Sequence, residues 1–353
     1  MAVHYTTKYA GKIAERFSRR SITDAACGKD YSFVGAKTVK LLSVNTAQEV
    51  PYDRTKGANR FGDPKNLDDE VQELTMTQQP AFTFVIDALD SSDQSIERSA
   101  GKALRRQLDE VTIPGMDKYR LRKWCLGANV LHRLSAAPTK TTIVEAILDV
   151  NAAMTDALVP LEDRTLYIPT AYYKLLKQNP DFISVDALGE KALSRGVVGE
   201  VDGCRVIPVP KGYLPNGAYF LIKHRSSTVD PVKLQQYDVL KNVQGYAGPV
   251  VQGVTYYDSF VIAARGDGLG LCGGAELILD GPTLTIASHA VTAAAPSGVT
   301  GATIRYTVDG SNPRYSGTAQ AYASAVTLTE GQVFRCVCVK DGYVGKESEK
   351  AYE

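Results

Sequence analysis

The chain has 353 residues, of which 44% are hydrophobic and 22% are charged, and its formal net charge is +1. This composition is typical of a folded globular protein of two or three domains, and it argues against a disordered chain, a membrane-spanning chain and a general nucleic-acid binder. The first 20 residues lack an apolar segment followed by a small-residue cleavage site, so we expect synthesis and folding in a cytosol.

The N-terminal 20 residues are strongly basic. Their lysines and arginines outnumber the single acid, Glu15, and give this segment a local net charge of +4. Apolar residues recur at helical spacing within it, which predicts a short amphipathic helix. Such an arm is either a solvated surface or a contact for a polyanion or an acidic partner, and the sequence leaves both interpretations open. The basic residues are Lys8, Lys12, Arg16, Arg19 and Arg20.

Two extended segments, residues 31–50 and 71–88, flank a stretch that has too few apolar residues to form a core. In the second segment Phe82, Phe84 and Ile86 alternate with smaller or polar residues, as in a half-buried strand. A structureless loop of about 20 residues is unusual inside a compact domain. Residues 51–70 are therefore predicted to be either disordered or a long two-stranded excursion that meets a neighbouring subunit.

Helices follow. One is predicted over 91–113, capped by Ser92 or Asp93 and ended by Pro114-Gly115. Another is predicted over 116–128. A third should start at a Thr142 cap, carry an apolar stripe from Ile143 to Leu158 and end at Pro160. A strand at 165–168 and a short helix at 171–177 come next, and strands dominate from residue 196 onward. Residues up to about 265 thus predict an α+β fold.

Residues 266–274 contain five glycines in nine positions, which predicts a flexible linker. No helical pattern follows. Short strand candidates are separated by turn residues such as Asp309-Gly310, so residues 275–353 predict a small β-sandwich. Cys336 and Cys338 fall on one face of a strand and are expected in its core. The strand candidates are 276–279, 283–286, 303–308, 325–328 and 333–339.

The sequence contains no convincing motif for catalysis or cofactor binding once the neighbouring elements and the residue spacing are considered. Residues 268–273 match the letters G-x-G-x-x-G, but a strand-like segment follows in place of the helix that would hold a pyrophosphate. The cysteines and histidines lack metal-site spacing, and the acidic run Asp87, Asp90 and Asp93 lacks the spacing of a calcium loop. No nucleophile, base and orienting group form a set. We therefore expect neither an enzyme nor a metal or cofactor.

The order of these parts resembles the major capsid proteins of tailed bacteriophages, the Hong Kong 97-type fold. The strand leading into the helix at 92–113, the strand-helix entry at 164–175 and the segments 199–207, 218–224 and 254–261 carry this resemblance. This resemblance covers residues 1 to about 265. It implies an N-terminal arm (1–30), a shell domain (31–265), an extended loop (about 40–85), a spine helix (about 92–113) and an axial domain (about 140–250).

Residues 275–353 resemble a second family, the immunoglobulin-like domain at the C-terminus of some chitobiases and hexosaminidases. The segments 304–314 and 339–343 carry this resemblance. In that family the domain is an accessory, so it implies no hydrolase activity here. It suggests a module on the outer surface that contacts glycans through tyrosines, although these rings fit a core role at least as well. They are Tyr306, Tyr315, Tyr322 and Tyr343.

The resemblances imply a virion protein, assembled in the bacterial cytoplasm, that forms hexamers and pentamers of an icosahedral shell around double-stranded DNA. Scaffolding, portal and head-decoration proteins are implied partners, with DNA held on the inner face without sequence specificity and no membrane. Two alternatives stay open, an encapsulin-like compartment and a carbohydrate-binding surface adhesion protein. The expected assembly contacts are Lys12, Arg16, Arg19, Arg20, Tyr52, Arg54, Lys56 and Phe61.

Overall fold

A computed structural model describes residues 21–28, 38–44, 52, 54–55, 59–61, 69–86, 100–179, 200–240, 243–246, 248–287, 289–296, 301–329 and 332–351. The predicted N-terminal helix lies outside these ranges, as do Lys12, Arg16, Arg19, Arg20 and Lys56. Within the described ranges no helix is long and apolar enough to cross a membrane, and no group of His, Cys, Asp and Glu residues is placed to hold a metal ion.

The fold is α+β, with a mixed first part and an all-β second part. The longer described helices are α1, which is α-helical over Ala100–Gln107, π-helical over Leu108–Thr112 and α-helical over Ile113–Leu126, then α2 (Thr142–Asp156) and α3 (Thr170–Lys177). The strands of the first part are β1 (Thr38–Val44), β2 (Asp69–Thr75), β3 (Ala81–Val85), β4 (Val130–Arg133), β5 (Arg164–Pro169), β6 (Glu200–Val201), β7 (Cys204–Val209), β8 (Ala218–His224), β9 (Thr228–Val229), β10 (Val232–Leu240), β11 (Val250–Tyr257), β12 (Phe260–Val261) and β13 (Leu269–Gly273). Those of the second part are β14 (Ile278–Leu279), β15 (Thr283–Ala287), β16 (Ala290–Ala294), β17 (Thr303–Thr307), β18 (Gln320–Ala321), β19 (Val326–Thr327), β20 (Val333–Val339), β21 (Val344–Gly345) and β22 (Glu347–Ala351).

A six-stranded sheet with the order β4-β13-β8-β5-β7-β6 forms the centre of the first part. The pleat sends alternate side chains of each strand to opposite faces. On β5, Leu166 and Ile168 join a core that includes α2, whereas Tyr167 joins the core under the C-terminal half of α1. Both faces of the sheet are thus buried, which explains why its strands are apolar almost throughout.

The glycine-rich segment is a strand of this sheet, so the prediction of a flexible linker at 266–274 is wrong. All five residues of β13 are buried, and the strand pairs with β4 on one side and with β8 on the other. A Cβ at Gly270 would lie 2.5 Å from Cγ1 of Val150 and 2.9 Å from Sδ of Met154. Glycine is needed here because a helix packs directly on the backbone.

Helix α1 continues through Pro114-Gly115, where the sequence predicted its end. Ile113 donates its N–H to the carbonyl of Leu108, five residues earlier, so the turn before the proline is π-helical. In a regular α-helix the proline ring would clash with the carbonyl four residues back, and the wider turn relieves that clash. Over the described residues 100–126 the two predicted helices are therefore one element, and residues 91–99, with the predicted caps Ser92 and Asp93, lie outside the described ranges.

Helix α2 begins at Thr142, but the predicted cap does not form. Thr141 occupies the capping position, but its side chain makes no capping hydrogen bond, and the Thr142 hydroxyl accepts the N–H of Thr139 at 2.9 Å. The first four residues of the predicted stripe are buried. Leu158 lies beyond the helix, has a positive φ of 59° and is 91% exposed, because the chain has already turned away from the sheet.

Residues 21–28 belong to the shell core, so the predicted arm of 1–30 is too long. The Asp117 carboxylate accepts hydrogen bonds from Ser21 Oγ at 2.6 Å and from the Ile22 N–H at 3.0 Å. Buried Lys223 donates its ammonium to the Ala26 carbonyl at 2.6 Å. Residues 21–28 are therefore fixed on the domain.

The second part is the predicted β-sandwich. Its sheets have the orders β15-β16-β19 and β18-β17-β20-β22. Residues from both sheets, including Val291 and Phe334, meet in one buried cluster. Cys336 and Cys338 lie in this cluster, which confirms their predicted core position.

Replacement of Gly270 tests whether the glycine-rich segment is a packed strand. Gly270→Ala should lower the free energy of unfolding by about 2 kcal/mol, because the added methyl group overpacks the contact with α2. Gly101→Ala in α1 is the matched control, since no atom lies within 4 Å of a Cβ there; it should raise stability by up to ~1 kcal/mol. Urea unfolding measures both. A Gly270→Ala protein as stable as the wild type would contradict the packing.

The reactivity of the thiols tests the cores as a whole. All six cysteines are free and buried. Burial raises the pKa of Cys204 to about 11 and the pKa values of Cys272 and Cys336 to about 12, so their reactive thiolate forms are scarce near neutral pH. We expect Ellman's reagent to label none of the six in the native protein and all of them in concentrated guanidinium. Rapid labelling of the native protein would show that a core is open.

Candidate assembly surfaces

An antiparallel ladder carries the extended loop away from the shell domain. Strands β1 and β2 pair along their whole length, from Thr38 opposite Thr75 to Val44 opposite Asp69. Residues 45–68 lie between these two paired strands in the chain, and the two-stranded excursion that meets a neighbouring subunit stays a prediction. Leu41 of β1 and Leu74 of β2 are buried in a cluster with Val229 and Ile262 of the shell domain.

Two polar side chains fix the root of this loop. Gln72 donates from Nε2 to the Val261 carbonyl at 2.8 Å and accepts the Ala263 N–H at Oε1 at 2.9 Å. Buried Asp258 accepts the Thr77 N–H and the Tyr119 hydroxyl, each at 2.7 Å. Burial and the neighbouring carboxylate raise the pKa of Tyr119, so this phenol remains a donor. Asp258 thereby ties the loop root to α1.

The described part of the loop ends in an aromatic pair. The ring centroids of Tyr52 and Phe61 are 4.9 Å apart, and the side chains are 49% and 83% exposed. Arg54, a third predicted contact residue, is also exposed. Large aromatic side chains held together in water are typical of a surface that a partner covers. The structure thus brings together Tyr52 and Phe61 of the predicted assembly residues.

All four tyrosines proposed for glycan contact are partly buried. Tyr306, Tyr322 and Tyr343 pack against the core of the sandwich, and the Tyr306 ring stacks on Phe334 with centroids 5.1 Å apart. Tyr315 packs against the shell core instead. Each ring therefore has a packing role, and glycan contact stays a prediction.

The aromatic tip of the loop gives a direct test. Phe61→Ser should leave the free energy of unfolding within ~0.5 kcal/mol of the wild type, because the ring is exposed in the subunit. It should weaken assembly: the lost burial of a phenylalanine, ~1.5–3 kcal/mol, raises the concentration needed for assembly at least about tenfold. Light scattering measures that concentration.

Leu158→Ser is the control, because it removes an equally exposed apolar side chain that lies after α2 and not on the loop. We expect its assembly threshold to match that of the wild type. An unchanged threshold for Phe61→Ser would show that the loop tip makes no contact between subunits.

Known proteins match this chain in two ways, through one family model and through solved structures. Residues 282–351 match the family described as the chitobiase/beta-hexosaminidase C-terminal domain. No curated protein sequence matches the chain. Solved structures match through their fold.

A structure from Mycobacterium phage Che8 has a TM-score of 0.63 and 17% identity, over 76% of this chain and 96% of that one. The capsid structure of cyanophage P-SCSP1u has a TM-score of 0.63 and 14% identity, over 77% and 93%. The mature capsid of bacteriophage PhiM1 has a TM-score of 0.62 and 11% identity, over 78% and 93%. The chain therefore has the fold found in these phage capsids, the Hong Kong 97-type fold named above, followed by an immunoglobulin-like domain that matches the chitobiase/beta-hexosaminidase C-terminal domain.

Proposed function

We propose that this protein is the major subunit of a bacteriophage head shell and is located in the virion. The observation that carries the proposal is the agreement between the capsid fold and the loop geometry. A ladder fixed at its root projects an exposed aromatic pair, while the body behind it is buried on both faces of its sheet.

A projecting loop on a rigid body suits the assembly of a closed lattice. A shell needs the same contact at positions that differ slightly in angle, and a long ladder can bend while its tip stays bound. Burial of one Phe61 ring contributes only ~1.5–3 kcal/mol, but every subunit of a hexamer or pentamer repeats the contact. The packed body of the subunit, which includes β13 and α1, holds the loop root in the same position in every subunit.

We also propose the partners of this shell subunit. The basic segment before Ser21, with its net charge of +4, would face packaged DNA or an acidic scaffolding protein without reading a base sequence. Scaffolding, portal and head-decoration proteins would complete the particle. A shell subunit acts through its surfaces, so we propose no catalytic activity.

Assembly tests the proposal. The purified protein, with its scaffold supplied, should form closed shells or capsomers that sediment far ahead of the monomer and are visible by negative-stain electron microscopy. A protein that stays monomeric at high concentration under these conditions would overturn the proposal. Shells that hold proteins and no DNA in infected cells would favour the compartment alternative.

Charge neutralisation tests the basic segment. Replacing Arg16, Arg19 and Arg20 together with glutamine should leave the unfolding midpoint unchanged and lower the yield of DNA-filled particles. Fewer phosphate contacts release fewer counterions, so the packaging that remains should depend less steeply on salt concentration. Normal packaging by the triple variant would assign these arginines to a solvated surface.

A further inference from the structure

The passage from the shell domain to the sandwich contains no free linker. Strand β13 ends at Gly273, and the Gly274 N–H already bonds to the Gly217 carbonyl at 2.9 Å. Four residues later β14 begins and pairs in parallel with β21. The Val344 N–H donates to the Leu277 carbonyl at 2.8 Å. The backbone is thus hydrogen-bonded on both sides of the junction.

The sandwich also completes the core of the shell domain. Leu277, Ile278 and Val344 belong to the same buried cluster as Trp124 and Leu271, and none of the three is more than 2% exposed. Removing the C-terminal part would therefore open the core beneath α1 to water. This contradicts the sequence-based expectation that residues 275–353 form an independent, tethered unit.

Two side chains clasp the C-terminal end of α1. Arg314 donates from Nη1 to the Ala128 carbonyl at 2.5 Å and from Nη2 to the Gly345 carbonyl. The Tyr315 hydroxyl donates to the Gly127 carbonyl at 2.5 Å, and burial raises the pKa of Tyr315 to about 12, which keeps it a donor. Carbonyls at the end of a helix lack helical partners, and a cation is favoured at that end of the helix dipole.

The turn that carries Arg314 and Tyr315 holds both residues in place. The Asn312 side-chain oxygen accepts the N–H of Arg314 at 2.9 Å, and the Tyr315 N–H bonds to the Asn312 carbonyl at 3.2 Å. The Arg314 Nε also lies 3.6 Å from the Glu347 carboxylate. A guanidinium held by several partners loses little further freedom when it meets α1, so more of its binding energy stabilises the junction.

We propose that the C-terminal domain is a built-in brace of the shell subunit, locked onto α1 by the Arg314–Tyr315 clasp. Its role is to complete the core and to fix the end of the helix from which the loop root is also held. In an assembled particle every copy would then take one orientation relative to its subunit. A mobile display module would need a free tether, and residues 269–279 provide none.

Hydrogen exchange on the full-length, unassembled subunit tests the brace. In the wild type, the amides of Ile278, Val344 and Lys346 should be as protected as those of β13, and heating should give one unfolding transition. Tyr315→Phe should accelerate exchange of these three amides about tenfold, because it removes one buried hydrogen bond that holds the junction closed. Arg314→Ala, which removes charged bonds as well, should accelerate it about a hundredfold.

Tyr306→Phe is the matched control, since it removes the same hydroxyl from the same domain, where that group donates to the exposed Gln320 side chain at 3.0 Å and not to α1. It should leave the three amides unchanged. The proposal fails if these amides exchange far faster than those of β13 in the wild type, if the sandwich melts separately, or if the two tyrosine variants behave alike. The measurement uses unassembled protein, so its outcome is independent of shell formation.

Discussion

The contact between helix α2 and the bare backbone of strand β13 is the constraint on which the subunit depends. Only a glycine at position 270 lets the strand lie against Val150 and Met154. The strand then pairs with β4 and β8, and its Leu269 and Leu271 point to the opposite core under α1. Five residues therefore join the two cores of the shell domain and lead directly into the sandwich.

Buried carboxylates connect α1 to the N-terminal segment and to the root of the extended loop. Asp117 holds the segment from Ser21, and Asp258 holds the loop root through Thr77. Asp230 accepts the Trp124 indole N–H at 3.0 Å. A carboxylate removed from water is tolerated only when several donors surround it, so each of these groups specifies one arrangement of the chain. The sandwich adds a fixed point at the far end of the same helix.

Local patterns predicted most of this architecture. Alternation and helical spacing located α2 and the sandwich strands β14, β15, β17, β19 and β20, but not β16, β18, β21 and β22. The errors have physical causes. A glycine is used both where a chain must flex and where another element must approach, and composition cannot separate the two at 266–274. Gln72 and its acceptor Val261 are 189 residues apart, so no local pattern connects them. For Tyr315 the sequence left a glycan contact and a core role open, because a half-buried ring and a stacking ring look the same in sequence.

An icosahedral reconstruction of the assembled particle tests the central claim, a shell built from subunits with a locked C-terminal domain. We expect density for residues 282–351 as strong as that of the central sheet, in one orientation on every subunit, with the Tyr52–Phe61 pair buried against a neighbour. A well-resolved shell that carries smeared or absent density for this domain would contradict the lock, and failure to find any closed particle would contradict the shell itself.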